Sequence, residues 1–71
     1  MINTADSSSL IDAVKKELER NRELLQLYKT IPSGVFGAMM IDKDIQEAEK
    51  ALEDQDAVAL IKVLVKLRNN E

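Results

Sequence analysis

Cysteine, histidine and tryptophan are absent from this chain, and proline occurs once, glycine twice and aromatic residues only as Tyr28 and Phe36. Without cysteine there is neither a disulfide nor a thiolate metal site. Without histidine the common zinc donor sets fall away too. The same two absences remove nucleophilic and acid–base catalysis by the usual triads. No enzyme is expected, and no cofactor, metal or small-molecule substrate. The shortage of aromatics means that any core is built from Leu, Ile, Val, Ala and Met. No apolar stretch approaches the ~20 residues that span a bilayer. The polar start, Met1-Ile-Asn-Thr-Ala-Asp-Ser-Ser-Ser9, lacks the basic and apolar segments of a secretion signal. These features lead us to expect a cytoplasmic protein with no membrane contact.

What is present is a chain of 71 residues, 45% of them apolar, enough for one domain. A domain of this size buries only about 60% of its unfolded surface. Small cores are commonly completed by a disulfide, a metal or a second subunit. With the first two excluded, oligomerisation remains. The net charge is −3, unevenly spread. Residues 42–56 carry seven carboxylates against Lys43 and Lys50, a net of −5, while residues 57–71 sum to +2. Phosphate backbones are held by clustered Lys and Arg, so direct nucleic-acid binding is not expected.

Hydrophobic periodicity predicts an all-α chain of three helices, a small hairpin or bundle completed by oligomerisation. A polar arm over residues 1–8 is expected to be flexible, with a single helical domain over residues 9–68. The first helix, about 9–30, follows Ile11, Val14, Leu18, Asn21, Leu25 and Tyr28 at spacings of three and four. Ser9 or Ser8 would cap it. Pro32-Ser33-Gly34 ends it, because the residue before proline is pushed away from helical angles. Ser33 would then cap a second helix, about 34–53, whose stripe is Ile41, Ile45, Ala48 and Leu52. Asp56 would cap a third, about 57–68, where a carboxylate suits the helix dipole. Residues 69–71 are expected to fray. Val63-Leu64-Val65 is β-prone, but Ala57, Ala59 and Leu60 lead into it and no second strand exists to pair with it.

The segment from Ala57 to Leu67 is polar only at Lys62 and Lys66, which share one helical lane. Such a helix is apolar almost all round and is expected to be wrapped by other elements. It lacks the polar groove-facing residues of a DNA recognition helix. Val35-Phe36-Gly37-Ala38-Met39-Met40-Ile41 is a second apolar run, wider than one helical face. The methionines are expected mainly in the core, with a docking patch as the alternative. The candidate interface is Phe36, Met39, Met40, Val63, Leu64 and Leu67. Gly34-Val35-Phe36-Gly37 has the G-x-x-G spacing of loops that clamp nucleic-acid backbone. With Val and Phe between the glycines, it reads better as a tight turn allowing close approach. Asn21 interrupts the first stripe, where it either fixes register or bonds water at the rim.

Arg20-Asn-x-Glu-Leu-Leu-x-x-Tyr-Lys29, Phe36-Gly-Ala-x-Met-Ile41 and Asp56-x-Val-Ala59 together resemble short helical proteins of uncharacterised role encoded in phage and prophage regions. The resemblance covers roughly residues 18–67. It implies a small viral accessory protein and carries over no catalytic residue. The reading is a non-catalytic interaction or regulatory module that self-associates or binds a protein partner. The alternative is an acidic inhibitor in which Asp42, Asp44, Glu47, Glu49 and Glu53 imitate nucleic-acid charge toward a basic protein.

Overall fold

Helical spacing places Val14, Leu18, Asn21 and Leu25 on one face of the first helix, and all four are buried in a computed structural model that describes residues 4–71. That helix is α1 (Thr4–Lys29), followed by α2 (Val35–Asp54) and α3 (Ala57–Asn69). Each of the three packs against the other two. The described residues contain no strand, so residues 63–65 are helical despite their β propensity. Short connections over residues 30–34 and 55–56 reverse the chain twice. α2 is thus antiparallel to its neighbours, and α3 runs alongside α1 in the same direction.

The buried stripe of α2 is Ile41, Ile45, Ala48 and Ala51, and that of α3 is Leu60, Val63 and Leu67. Leu10, Ile11, Leu24, Tyr28, Ala38, Leu52, Ala59 and Leu64 pack around this core at half-burial. Ala48 and Ala51 put small side chains on the buried face of α2.

Three boundary expectations need correction. α1 begins at Thr4, so Ser8 and Ser9 lie inside the helix and do not stand at its N-terminus. Residues 1–3 of the expected arm lie outside the described residues, while 4–8 are helical. Ser33 is not the cap of α2 either. Pro32, Ser33 and Gly34 close into a single 3-10 turn, leaving Gly34 at the cap position with no side-chain bond. Proline's fixed φ suits the first position of such a turn. The expected fraying at the C-terminus fails at Asn70, which has firm partners described below.

The second reversal follows the sequence reading. The Asp56 carboxylate accepts from the Val58 and Ala59 amides at 3.1 and 3.2 Å, capping α3. Just before it, Gln55 takes left-handed angles, φ 53° and ψ 39°. Gln55 N–H reaches the Leu52 carbonyl and Asp56 N–H the Ala51 carbonyl, both at 3.3 Å. This satisfies carbonyls that α2 would otherwise leave open.

Candidate interaction surface

α3 has 13 residues and α2 has 20, so at ~1.5 Å per residue they span about 20 and 30 Å. The C-terminus of α3 stops level with Asp44 and Asn21, because Asn70 bonds to both side chains. The first two turns of α2 therefore extend past the end of α3. Met40, one turn before Asp44 on the lane that meets α3, has no third helix to pack on there, while Met39 shares the outward lane of exposed Lys43 and Gln46. Phe36 is 74% exposed, Met39 64% and Met40 51%, and Val35, Leu27 and Ile31 are exposed with them. The expectation that the methionines fill the core is thus corrected. A shallow groove here is lined by Leu25, Tyr28, Val35, Ala38 and Met39, with Lys29 and Asp42 supplying its charges.

The turn below this surface is built on two close approaches. A Cβ on Gly34 would lie 2.6 Å from the Tyr28 carbonyl oxygen, and one on Gly37 2.6 Å from Tyr28 Cε2. The tyrosine ring occupies the room that Gly37 leaves, and its hydroxyl donates to the Glu71 carbonyl. The G-x-x-G spacing serves packing between helices, as the intervening Val and Phe suggested.

Of the candidate interface residues, Phe36, Met39 and Met40 come together on this surface. Val63 and Leu67 do not. Both are buried in the core, and Leu64 is half-buried against it. The exposed apolar residues of α3 are Val58, Ile61 and Val65. The helix is therefore not wrapped on all sides; one flank of it faces water. The two lysines already carried that signal. Val58 shares the lane of Lys62 and Lys66, and Val65 adjoins it, so both sit on the wet side by helical phase.

A polar clasp joins the three helices where α3 ends. Asn21 is fully buried. Its Nδ2 donates to the Glu17 carbonyl at 2.7 Å and the Leu67 carbonyl at 3.1 Å. Its Oδ1 accepts from Asn70 Nδ2 at 2.9 Å, and the same Nδ2 donates to Asp44 Oδ2 at 3.0 Å. Arg20 Nη2 donates to the Leu67 and Asn70 carbonyls at 2.7 and 2.9 Å. Orphan carbonyls and the negative end of a helix dipole both favour a cation there. No buried side-chain nitrogen or oxygen among the described residues lacks a partner. Asn21 thus sits in a satisfied buried network and not at the rim.

The acidic band is divided among these contacts. Asp44 holds Asn70, Glu47 pairs with Lys66 at 2.8 Å, and Glu49 pairs with Arg22 at 2.9 Å. Asp42 accepts from Gln46, while Glu53 is exposed. The Glu47 hydrogen bond and charge, with a smaller contribution from Asp44, hold the Lys66 ammonium above its ordinary pKa. The acids therefore serve several faces of the bundle and form no single charged front. No helix among the described residues is long and apolar enough to cross a membrane. Compared with known proteins, the chain matches no protein family, no curated sequence and no solved structure.

Proposed function

We propose that this chain is a non-catalytic, self-associating interaction module of the cytoplasm, whose contact surface is the overhanging end of α1 and α2. The observation that carries this reading is the exposure of Phe36, Met39 and Met40 within the first two turns of α2. Soluble monomers rarely expose large contiguous apolar patches, and those that persist are commonly functional. Methionine adapts to irregular partners, and a phenylalanine supplies a large anchor. A second copy is a fitting occupant because the surface is close to neutral, so two such patches meet across a twofold axis without a charge conflict. Burial there would also enlarge a core that a short chain without disulfide or metal cannot otherwise extend.

Light scattering on gel-filtered protein tests this. A protomer has a mass of 8.0 kDa, and a dimer or larger species is expected at micromolar concentration. Phe36→Ser with Met40→Ser should return the protomer mass with helicity intact, because both side chains are exposed. A wild-type chain that stays at the protomer mass at every concentration would refute self-association.

The acidic-mimic reading gains no comparable support. Its carboxylates point to different helices and are largely engaged by Arg22, Lys66, Gln46 and Asn70.

A further inference from the structure

We propose that the outer flank of α3 is a second docking surface, one that receives an acidic amphipathic helix from a partner protein. Val58, Ile61 and Val65 stand on it at positions i, i+3 and i+7, each more than half exposed. Lys62 lies among them and Arg68 follows less than a turn after Val65, both exposed. α3 contains no acidic residue at all, although the chain as a whole is acidic.

The surrounding charges leave this flank positive. Across the groove toward α2, Lys62 lies with Lys50 and Lys66 and with Glu47, Asp54 and Asp56. Lys66 is bound by Glu47, Lys50 by Asp54, and Asp56 by the first amides of α3. Lys62 and Arg68 make no ion pair among the described residues. Two cations without an ion-pair partner thus border three apolar side chains. The acids near Lys62 are engaged elsewhere or at the groove's far side, and Glu71, three residues after Arg68, makes no ion pair with it.

That chemistry selects the occupant. Anchors spaced three and four apart along a helix pack against a helix that carries the same spacing. All three anchors are β-branched, so χ1 is already restricted and little rotamer freedom is lost on docking. A copy of the same flank brings no acid from its own α3, and a twofold pairing in either direction would set Lys62 close to its own counterpart, a like-charge contact that interfaces avoid. A phosphate backbone would meet an apolar centre and only two free cations, fewer than such binding uses. An apolar stripe flanked by Asp or Glu satisfies both the aliphatic and the cationic elements. This surface is separate from the end of α1 and α2, and the inference does not depend on self-association.

The test uses the whole chain, labelled for NMR and titrated with a synthetic helical peptide of about 18 residues, a length that sustains a helix. The peptide carries leucines at spacings of three and four with glutamates beside them; a matched peptide has lysines instead. Saturable shifts are expected at Val58, Ile61, Lys62, Val65 and Arg68, with the lysine peptide silent. Ile61→Ser and Lys62→Glu should each weaken the acidic peptide at least about tenfold, with circular dichroism unchanged. Phe36→Ser should leave this binding intact, which separates the result from the fate of the self-association surface. Equal binding of both peptides, shifts centred on Phe36 and Met39, a response to anionic lipid vesicles alone, or no saturation at millimolar peptide would each overturn the proposal.

Discussion

Asn70 Nδ2 donates to Asn21 Oδ1 at 2.9 Å, tying the end of α3 to the middle of α1 across 49 residues of sequence. The bond satisfies the Oδ1 of a fully buried Asn21, while Asn70 itself is half-buried. Buried polar networks of this kind are costly when half satisfied. Asn21→Ala removes a donor to Leu67, an acceptor for Asn70 and part of the core volume. We expect a loss of about 2–3 kcal/mol in urea unfolding, combining an unmade bond and a cavity. Asn21→Leu should recover part of that loss while amide exchange at Leu67 and Asn70 quickens, because the α3 terminus is no longer fixed. Slow exchange there in the leucine variant would show that packing alone holds the end of α3.

Gln55 is the one non-glycine residue with positive φ among the described residues. A side chain in the left-handed region costs roughly 1 kcal/mol, which glycine avoids. Gln55 is also exposed, so its replacement removes no core contact. Gln55→Gly is therefore expected to stabilise the chain by about 0.5–1 kcal/mol and raise Tm by several degrees. A fall in Tm would mean that the side chain contributes more than its backbone conformation costs.

The two glycines beside Tyr28 should respond differently to the same change. At Gly34 the added methyl group meets a backbone carbonyl, which cannot move without opening the turn. At Gly37 it meets the edge of a ring, which can tilt. Overpacking of the first kind costs about 1–3 kcal/mol. Gly34→Ala should therefore lower Tm clearly. Gly37→Ala should cost less, since alanine favours the helix, and should instead shift the Tyr28 ring resonances. Equal losses at both positions would contradict the difference in what each methyl meets.

Three helices, the break at Pro32 and the cap at Asp56 were legible because each rests on local chemistry: period 3.6, a fixed φ and a carboxylate before apolar residues. The buried stripe of α2 was legible at Ile41, Ile45 and Ala48, which stand against charged neighbours, but its last member is Ala51, and the expected Leu52 is half-buried. α3 offered no such contrast. Nine apolar residues among eleven hide the phase, so Val63 and Leu67 read as surface candidates while Val58, Ile61 and Val65 passed unnoticed. Ser33 misled because it stands where a cap belongs, whereas proline closes a turn that moves the cap to Gly34. The exposure of Met40, on the α2 lane of Asp44 and Glu47 that meets α3, depends on α3 ending at Asn69, a relation between two helices that no local window contains. Met39 shares the outward lane of exposed Lys43 and Gln46, so its exposure was open to local phase alone. The clasp at Asn21 depends on Asn70 and Asp44, and nothing near Asn21 in sequence announces either.

The Lys66 ammonium and Glu47 carboxylate give the fold a pH dependence of definite sign. Because the folded-state pKa of Lys66 is raised above 10.5, the folded chain holds this proton more tightly than the unfolded chain does. Stability from the contact is then fully present below the unfolded value and lost as pH rises through the folded one. Lys66→Met should lower Tm at neutral pH relative to the parent, and the gap should close above pH 10.5. Salt should narrow it at neutral pH too, since the pair faces solvent. A gap independent of pH would assign the effect of Lys66 to its methylene stem.

Val63 and Val65 are two residues apart on α3, yet Val63 is 3% exposed and Val65 56%. A strand would place both on one face, whereas a helix places them on nearly opposite ones. Val63→Lys buries an unpaired ammonium beside Leu60 and Leu67, with no acid in α3 to receive it. A chain of this length has a total stability of about 4–10 kcal/mol, and an unpaired buried charge costs a large part of that. We expect Val63→Lys to be largely unfolded by circular dichroism at 25 °C. Val65→Lys should keep its helicity, with Tm within a few degrees of the parent, because the new ammonium stays in water. Similar folding behaviour in the two variants would mean that the observed phase of α3 is wrong, and with it the placement of Val58 and Ile61 on the open flank.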